Sequence, residues 1–89
     1  MSHQRSESTV GTFTMYTTPW CGYCHRLSSQ LDRAGIDYHV VDIERQPEAA
    51  NIVMSANNGN RTVPTLVYSD GSAHTNPSLA QVKQKLATV

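Results

Sequence analysis

Thr12-Phe13-Thr14-Met15-Tyr16-Thr17-Thr18-Pro19-Trp20-Cys21-Gly22-Tyr23-Cys24 is the stretch on which the reading of this chain turns. Residues 12–17 alternate and are rich in β-branched and aromatic side chains, which predicts a strand. Thr18-Pro19 ends it. Beyond the cysteine pair, Cys24, Leu27, Leu31 and Ala34 recur at helical spacing, and Gly35 is placed to cap a helix at its C-terminal end. The cysteines therefore fall where a strand hands over to a helix.

Working outward, Asp37 to Ile43, with Tyr38, Val40 and Val41, reads as a second strand. Pro47 suits the first turn of a second helix, whose apolar stripe would be Ala49, Ile52, Val53 and Ala56 and which Asn58-Gly59 would end. Thr65 to Tyr68 is a short strand. Asp70-Gly71 signals a hairpin with Ser72 to His74 returning. Asn76 is expected as an N-cap with Pro77 at the first helical position, and Leu79, Val82 and Leu86 as the stripe of the last helix. The first two strands, joined through a helix, should be parallel with a right-handed crossover. The βαβαββα order predicts an α/β architecture, a four-stranded mixed sheet with three helices on its two faces, and matches a minimal thioredoxin fold.

At 89 residues the chain holds one domain. Residues 1–10 are polar and read as a disordered tail, and residues 11–89 as the folded domain. Seven Lys plus Arg balance seven Asp plus Glu, so no electrostatic footprint for nucleic acid or an anionic membrane is present. No apolar run reaches the roughly 18 residues that span a bilayer, and the N-terminal residues do not form a secretory signal. A cytoplasmic location follows as the expectation. In a reducing compartment, a pair of cysteines is catalytic or metal-binding more often than a structural disulfide.

The pair is asymmetric. Cys21 precedes the first helical turn, where unpaired N–H groups and the helix dipole favour a thiolate. Cys24 lies one turn further in and should be more buried. Cys21 is therefore expected to attack and Cys24 to resolve. For thiols in general, a pKa drop from about 8.5 to about 5 raises the thiolate share at neutral pH roughly 30-fold, while the lost basicity removes roughly 25- to 55-fold of nucleophilicity. The two nearly cancel, so the clear gain of a stabilised thiolate is as a leaving group.

Other chemistries fit less well. Cys21-x-x-Cys24-His25 formally matches c-type haem attachment, but the strand before it and the βα pattern after it argue against that. Zinc would need two more ligands; His25, His39 and His74 are present, but without a second Cys pair or a spaced His pair. Two ordinary buried cysteines are the plain alternative, and the motif's position at the junction weighs against it. No metal and no cofactor is expected. Arg61-Thr62-Val63-Pro64 precedes the hairpin. A cis Val63–Pro64 bond would set the Val63 backbone beside Cys21, where it could hold an extended substrate by strand-like hydrogen bonds.

On Tyr16-Thr17, Trp20-Cys21-Gly22-Tyr23-Cys24, Thr62-Val63-Pro64 and the order of elements, residues 12–87 resemble the glutaredoxins. The resemblance implies that Cys21 attacks a mixed disulfide with a low-molecular-weight thiol and that Val63 binds that thiol through its backbone. Glutathione-using members usually have Pro where Gly22 stands, and a Gly-Gly pair with acidic residues after the hairpin. Here that stretch is Ala73-His74-Thr75-Asn76-Pro77-Ser78, without an acidic partner for a γ-glutamyl ammonium. Gly59 to Thr65, Asp70-Gly71-Ser72 and Thr75 to Ser78 look like the mycoredoxins, glutaredoxin-like proteins that use mycothiol. That likeness implies S-mycothiolated proteins as partners and mycothiol as co-substrate; a monomer is expected.

Around the pair, Trp20 and Tyr23 are candidates for an apolar substrate wall, with Arg61, Thr62, Val63 and Pro64 on the facing loop and Asn76 as a sugar contact by resemblance. Arg26 is a candidate thiolate or substrate contact, and His25 a candidate proton carrier. Two further functions stay open: a dithiol electron donor of thioredoxin type fed by a flavoprotein reductase, and a binding module holding an iron–sulfur cluster between subunits.

Overall fold

The structure is a computed structural model that describes residues 13–88. The tail expected over residues 1–10 lies outside the described residues. Strand β1 (Phe13–Thr17) is followed by helix α1 (Gly22–Arg33) and strand β2 (His39–Asp42). A 3-10 turn, Pro47–Ala49, leads into helix α2 (Ala50–Ala56). Strands β3 (Thr65–Tyr68) and β4 (Ala73–Thr75) and helix α3 (Leu79–Leu86) complete the chain. The sheet order is β2-β1-β3-β4. β1 and β2 are parallel in the register Met15↔Val40, as a crossover through a helix requires, and β3 is antiparallel to both β1 and β4.

The alternation of β1 sends its side chains to two cores. Phe13 and Met15 join Leu66 and Tyr68 of β3, Leu27 and Leu31 of α1 and Val82 of α3 on one face. Tyr16 joins Ile43, Ala49, Ala50 and Val53 on the other. Leu31, Leu66, Val53 and Val82 have no exposed surface; each such side chain stabilises the fold by about 1.5–3 kcal/mol. β1 and β3 are the central strands, so the chain segments leaving their ends are held by both cores.

Helix α1 ends in a Schellman arrangement. Gly35, at φ +73°, donates to Asp32, and Ile36 donates to Leu31. Gly35 thus caps as expected, while Ala34 lies exposed at the C-cap instead of on the buried stripe. The stripe of α2 also differs from expectation. Ala49, Ala50 and Val53 face the core, whereas Ile52 and Ala56 face outward. The 3-10 turn at Pro47–Ala49 advances about 120° per residue instead of 100° and rotates the face.

At α3, Asn76 is not the N-cap. It adopts φ +49°, and Ser78 caps the helix: its hydroxyl accepts from the Gln81 N–H, and the Gln81 side chain accepts from the Ser78 N–H. The return strand β4 begins at Ala73, one residue later than expected, because Asp70 Oδ1 holds the Ser72 N–H and hydroxyl in the turn.

Candidate active site

Cys21 is the N-cap of α1, with extended backbone at φ −87° and ψ 108°. Its Sγ accepts the Cys24 N–H at 3.1 Å, one of the N–H groups a helix start leaves without a backbone partner. The same sulfur lies 3.8 Å from the Val63 carbonyl, to which the thiol donates. The cysteine pair and the Val63–Pro64 loop, 42 residues apart in sequence, therefore meet at one sulfur. The Val63–Pro64 bond is cis. Both cysteines are free thiols.

The two sulfurs differ in surroundings. Cys24 is 2% exposed and Cys21 6%, so Cys21 is covered to a greater degree than an open surface thiolate would be. Burial pushes the Cys24 thiol up to about 11, and the Cys21 side chain adds to it; contacts from the Thr17 side chain and the Thr18 backbone pull the other way without reversing the direction. At neutral pH Cys24 is accordingly a protonated thiol.

The other expected site residues fall into two groups. Trp20 is exposed and donates from Nε1 to Glu44 Oε2 at 2.7 Å. It shares a groove of about 380 Å³ with Thr18, Ile43, Glu44, Pro47 and Arg61. Tyr23 lies in a different groove of about 360 Å³ that includes Arg26, Gln30, Asn76 and Ser78. The two aromatics thus do not form one wall, and Arg61 and Asn76 sit on different sides of the site. Asn76 is tied to the Val63–Pro64 loop by its N–H, which donates to the Pro64 carbonyl at 2.8 Å. Thr62 is exposed, and its carbonyl accepts the Thr65 hydroxyl at 2.7 Å. Arg26 lies over the Tyr23 ring at 6.0 Å, and the His25 ring nitrogen donates to the Pro19 carbonyl at 2.9 Å, so each engages a neighbour in the motif.

Glu44 and Asn57 had no place in the sequence reading. Asn57 Nδ2 donates to the Val53 carbonyl and to Thr65 Oγ1, and its Oδ1 accepts the Thr75 hydroxyl. It thereby joins α2, β3 and β4 directly behind the Val63–Pro64 loop. No local pattern marks either residue, since both act across long sequence separations. Among the described residues no group of three or more His, Cys, Asp or Glu is placed to hold a metal ion. No helix among them is long and apolar enough to cross a membrane.

Comparison with known proteins gives a consistent answer. The glutaredoxin family model matches residues 13–72. A Mycobacterium tuberculosis protein carrying the glutaredoxin name is 54% identical over 80 residues, covering 90% of this chain and 95% of that protein. Mycoredoxin 1 of Corynebacterium glutamicum is 47% identical over 77 residues, covering 86% of this chain and 95% of its own length. The crystal structure of a glutaredoxin from Archaeoglobus fulgidus superposes with a TM-score of 0.70 over 90% of this chain and 89% of that one, at 24% identity, a likeness of fold. A thiol pair at a helix start, the fold that carries it and relatives matched along nearly their whole length place the chain in the glutaredoxin family of thiol–disulfide oxidoreductases, close to mycoredoxin 1.

Proposed function

We propose that the chain reduces mixed disulfides between proteins and mycothiol, with Cys21 as the nucleophile. The Cys21 thiolate attacks the mycothiol sulfur of the mixed disulfide. The protein–mycothiol S–S bond breaks, the protein sulfur leaves as a thiolate and takes up a proton, and Cys21 is left disulfide-bonded to mycothiol. A second mycothiol thiolate then attacks the mycothiol sulfur, releasing Cys21 and oxidised mycothiol. Alternatively Cys24 attacks Cys21 Sγ, releasing mycothiol and closing a Cys21–Cys24 disulfide that an external reductant must reopen.

The observation that carries the reading is the Cys24 N–H held 3.1 Å from Cys21 Sγ. A backbone donor aimed at the sulfur is placed to hydrogen-bond it both when Cys21 attacks and when it is expelled. The Val63 backbone, whose carbonyl stands 3.8 Å from that sulfur, is assigned the extended part of the substrate. For mycothiol over glutathione, the support is the 47% identity to mycoredoxin 1 and a groove beside Tyr23 whose polar lining, Arg26, Gln30, Asn76, Ser78 and Gln81, contains no carboxylate. Such a lining suits hydroxyl groups better than an ammonium. The proposed setting is the cytoplasm, where a pool of reduced small thiol sustains turnover.

The test is turnover of Cys24→Ser with mycothiol- and glutathione-mixed disulfides of the same protein. Retained activity, greater with mycothiol, is the expected outcome, and Cys21→Ser should be inactive with both. Activity in Cys21→Ser ends the proposal. Equal or greater activity with glutathione ends the mycothiol assignment, and loss of all activity in Cys24→Ser favours a dithiol electron donor.

A further inference from the structure

Glu44 lies just beyond the end of β2, and its N–H donates to Asp42 Oδ1 at 2.9 Å, which fixes the residue on its turn. From there its Oε2 accepts the Trp20 indole N–H at 2.7 Å, a charge-assisted contact between segments 24 residues apart. Trp20 is the residue before Cys21, and it is 71% exposed. An indole so exposed has little packing to hold it, and the carboxylate supplies a fixed direction instead. Trp20 and Glu44 together line the groove that also contains Arg61, Ile43 and Pro47. Thr18 lines it too, and its buried hydroxyl has no hydrogen-bond partner among the described residues.

We infer that Glu44 is a positioning residue: its carboxylate holds the Trp20 indole as the wall of the groove that receives the protein side of the mixed disulfide, the groove beside Tyr23 being left to mycothiol. This rests on the mixed-disulfide reading of the site. Glu44 touches no reacting atom. Its effect is to order the wall before substrate arrives, so that binding does not bear the cost of ordering it. The contribution therefore falls on substrate binding and leaves the reactivity of the sulfur alone.

The chain contains one tryptophan, so its fluorescence reports on Trp20 alone. Wild type, Glu44→Ala and Glu44→Gln are compared in reduction of one S-thiolated protein, in tryptophan emission anisotropy and in the rate at which iodoacetamide alkylates Cys21. Glu44→Ala should raise KM by up to about tenfold, the cost of ordering one side chain on binding, with kcat and the alkylation rate changed by less than about twofold. Its anisotropy should fall. Glu44→Gln keeps an amide oxygen for the indole N–H and should restore both KM and anisotropy.

An unchanged KM in Glu44→Ala overturns the inference, as does a Gln variant that behaves like Ala, which would assign the effect to charge. An alkylation rate that falls in step with activity also overturns it, since Glu44 would then act on the sulfur. A wild-type protein without mixed-disulfide activity removes the functional reading and the inference together. An active wild type that is indifferent to Glu44→Ala removes the inference alone.

Discussion

Cys21 Sγ receives the backbone N–H of Cys24 at 3.1 Å while the Cys24 thiol itself is buried and pushed up to about 11. One residue thus plays two parts in the site. Its main chain steadies the sulfur of its partner, and its side chain is kept from ionising. On the proposed chemistry, this division separates the two routes by which a Cys21 mixed disulfide would be resolved. The small-thiol route needs nothing from the Cys24 side chain. The intramolecular route needs the Cys24 thiolate, which is scarce at neutral pH.

The rate of the intramolecular route should therefore climb steeply with pH. Burial, the largest cause of the raised Cys24 thiol, persists when Cys21 carries a small thiol, so the Cys24 thiolate fraction is small at pH 7 and rises with pH. Loading Cys21 with a small thiol, removing the excess and following release of that thiol by mass spectrometry should show this slope. Cys24→Ser should show no release without added thiol. A release rate that is flat between pH 7 and pH 10 would contradict the protonated state assigned to Cys24.

The same raised Cys24 thiol predicts a loss of stability in alkali. Burial raises the folded-state value above the ordinary thiol value, so the unfolded chain loses its proton first. Stability is then full below about pH 8.5, falls as pH rises from there, and stops falling near the folded value. Tyr68, pushed up to about 12 by burial and by the nearby Asp70 carboxylate, adds a loss of the same sign that begins only above about pH 10. Urea unfolding should show about 1–2 kcal/mol less stability at pH 10 than at pH 8. Cys24→Ser should remove most of that difference.

The parts legible in sequence were those set by local rules. The strand before the cysteines, the Gly35 cap and the parallel β1–β2 pair follow from periodicity, backbone freedom and crossover geometry, and all are found. Misreadings occurred where a choice between neighbours was settled by geometry beyond them. Ser78, three residues before Gln81, already spelled a capping box, but Asn76-Pro77 gave a competing signal two residues earlier. Asn76 is instead used for its tolerance of positive φ. Trp20 and Tyr23 looked like one surface because they flank Cys21. The helix starting at Gly22 turns Tyr23 toward Asn76, while Glu44 draws Trp20 toward Arg61. Contacts such as Trp20–Glu44 and Asn57–Thr65 have no local sequence signature.

Asn57 should matter more than its place after a short helix suggests. Its amide joins Val53, Thr65 and Thr75, and Thr65 has no exposed surface. Asn57→Ala removes three hydrogen bonds around the loop that carries Val63, and should lower stability by about 1–3 kcal/mol in urea unfolding. Because Thr65 Oγ1 keeps its bond to the Thr62 carbonyl, the fold should survive. The expected kinetic signature is a raised KM for a mixed disulfide. A variant as stable as wild type would show that the network contributes little.

The start of α3 offers a test that distinguishes the two residues competing for the cap. Ser78→Ala removes the oxygen that accepts the Gln81 N–H and should cost about 1 kcal/mol. Asn76 stands at φ +49°, a conformation that most side chains resist but glycine does not. Asn76→Gly should therefore leave stability near wild type, while Asn76→Ala should cost about 1 kcal/mol through backbone strain. If Asn76 were the cap, glycine would again cost less than alanine, so the deciding variant is Ser78→Ala, which would then be nearly silent. Thermal unfolding of the three variants separates these patterns, because a loss in Ser78→Ala as large as that in Asn76→Ala holds only for a capping Ser78.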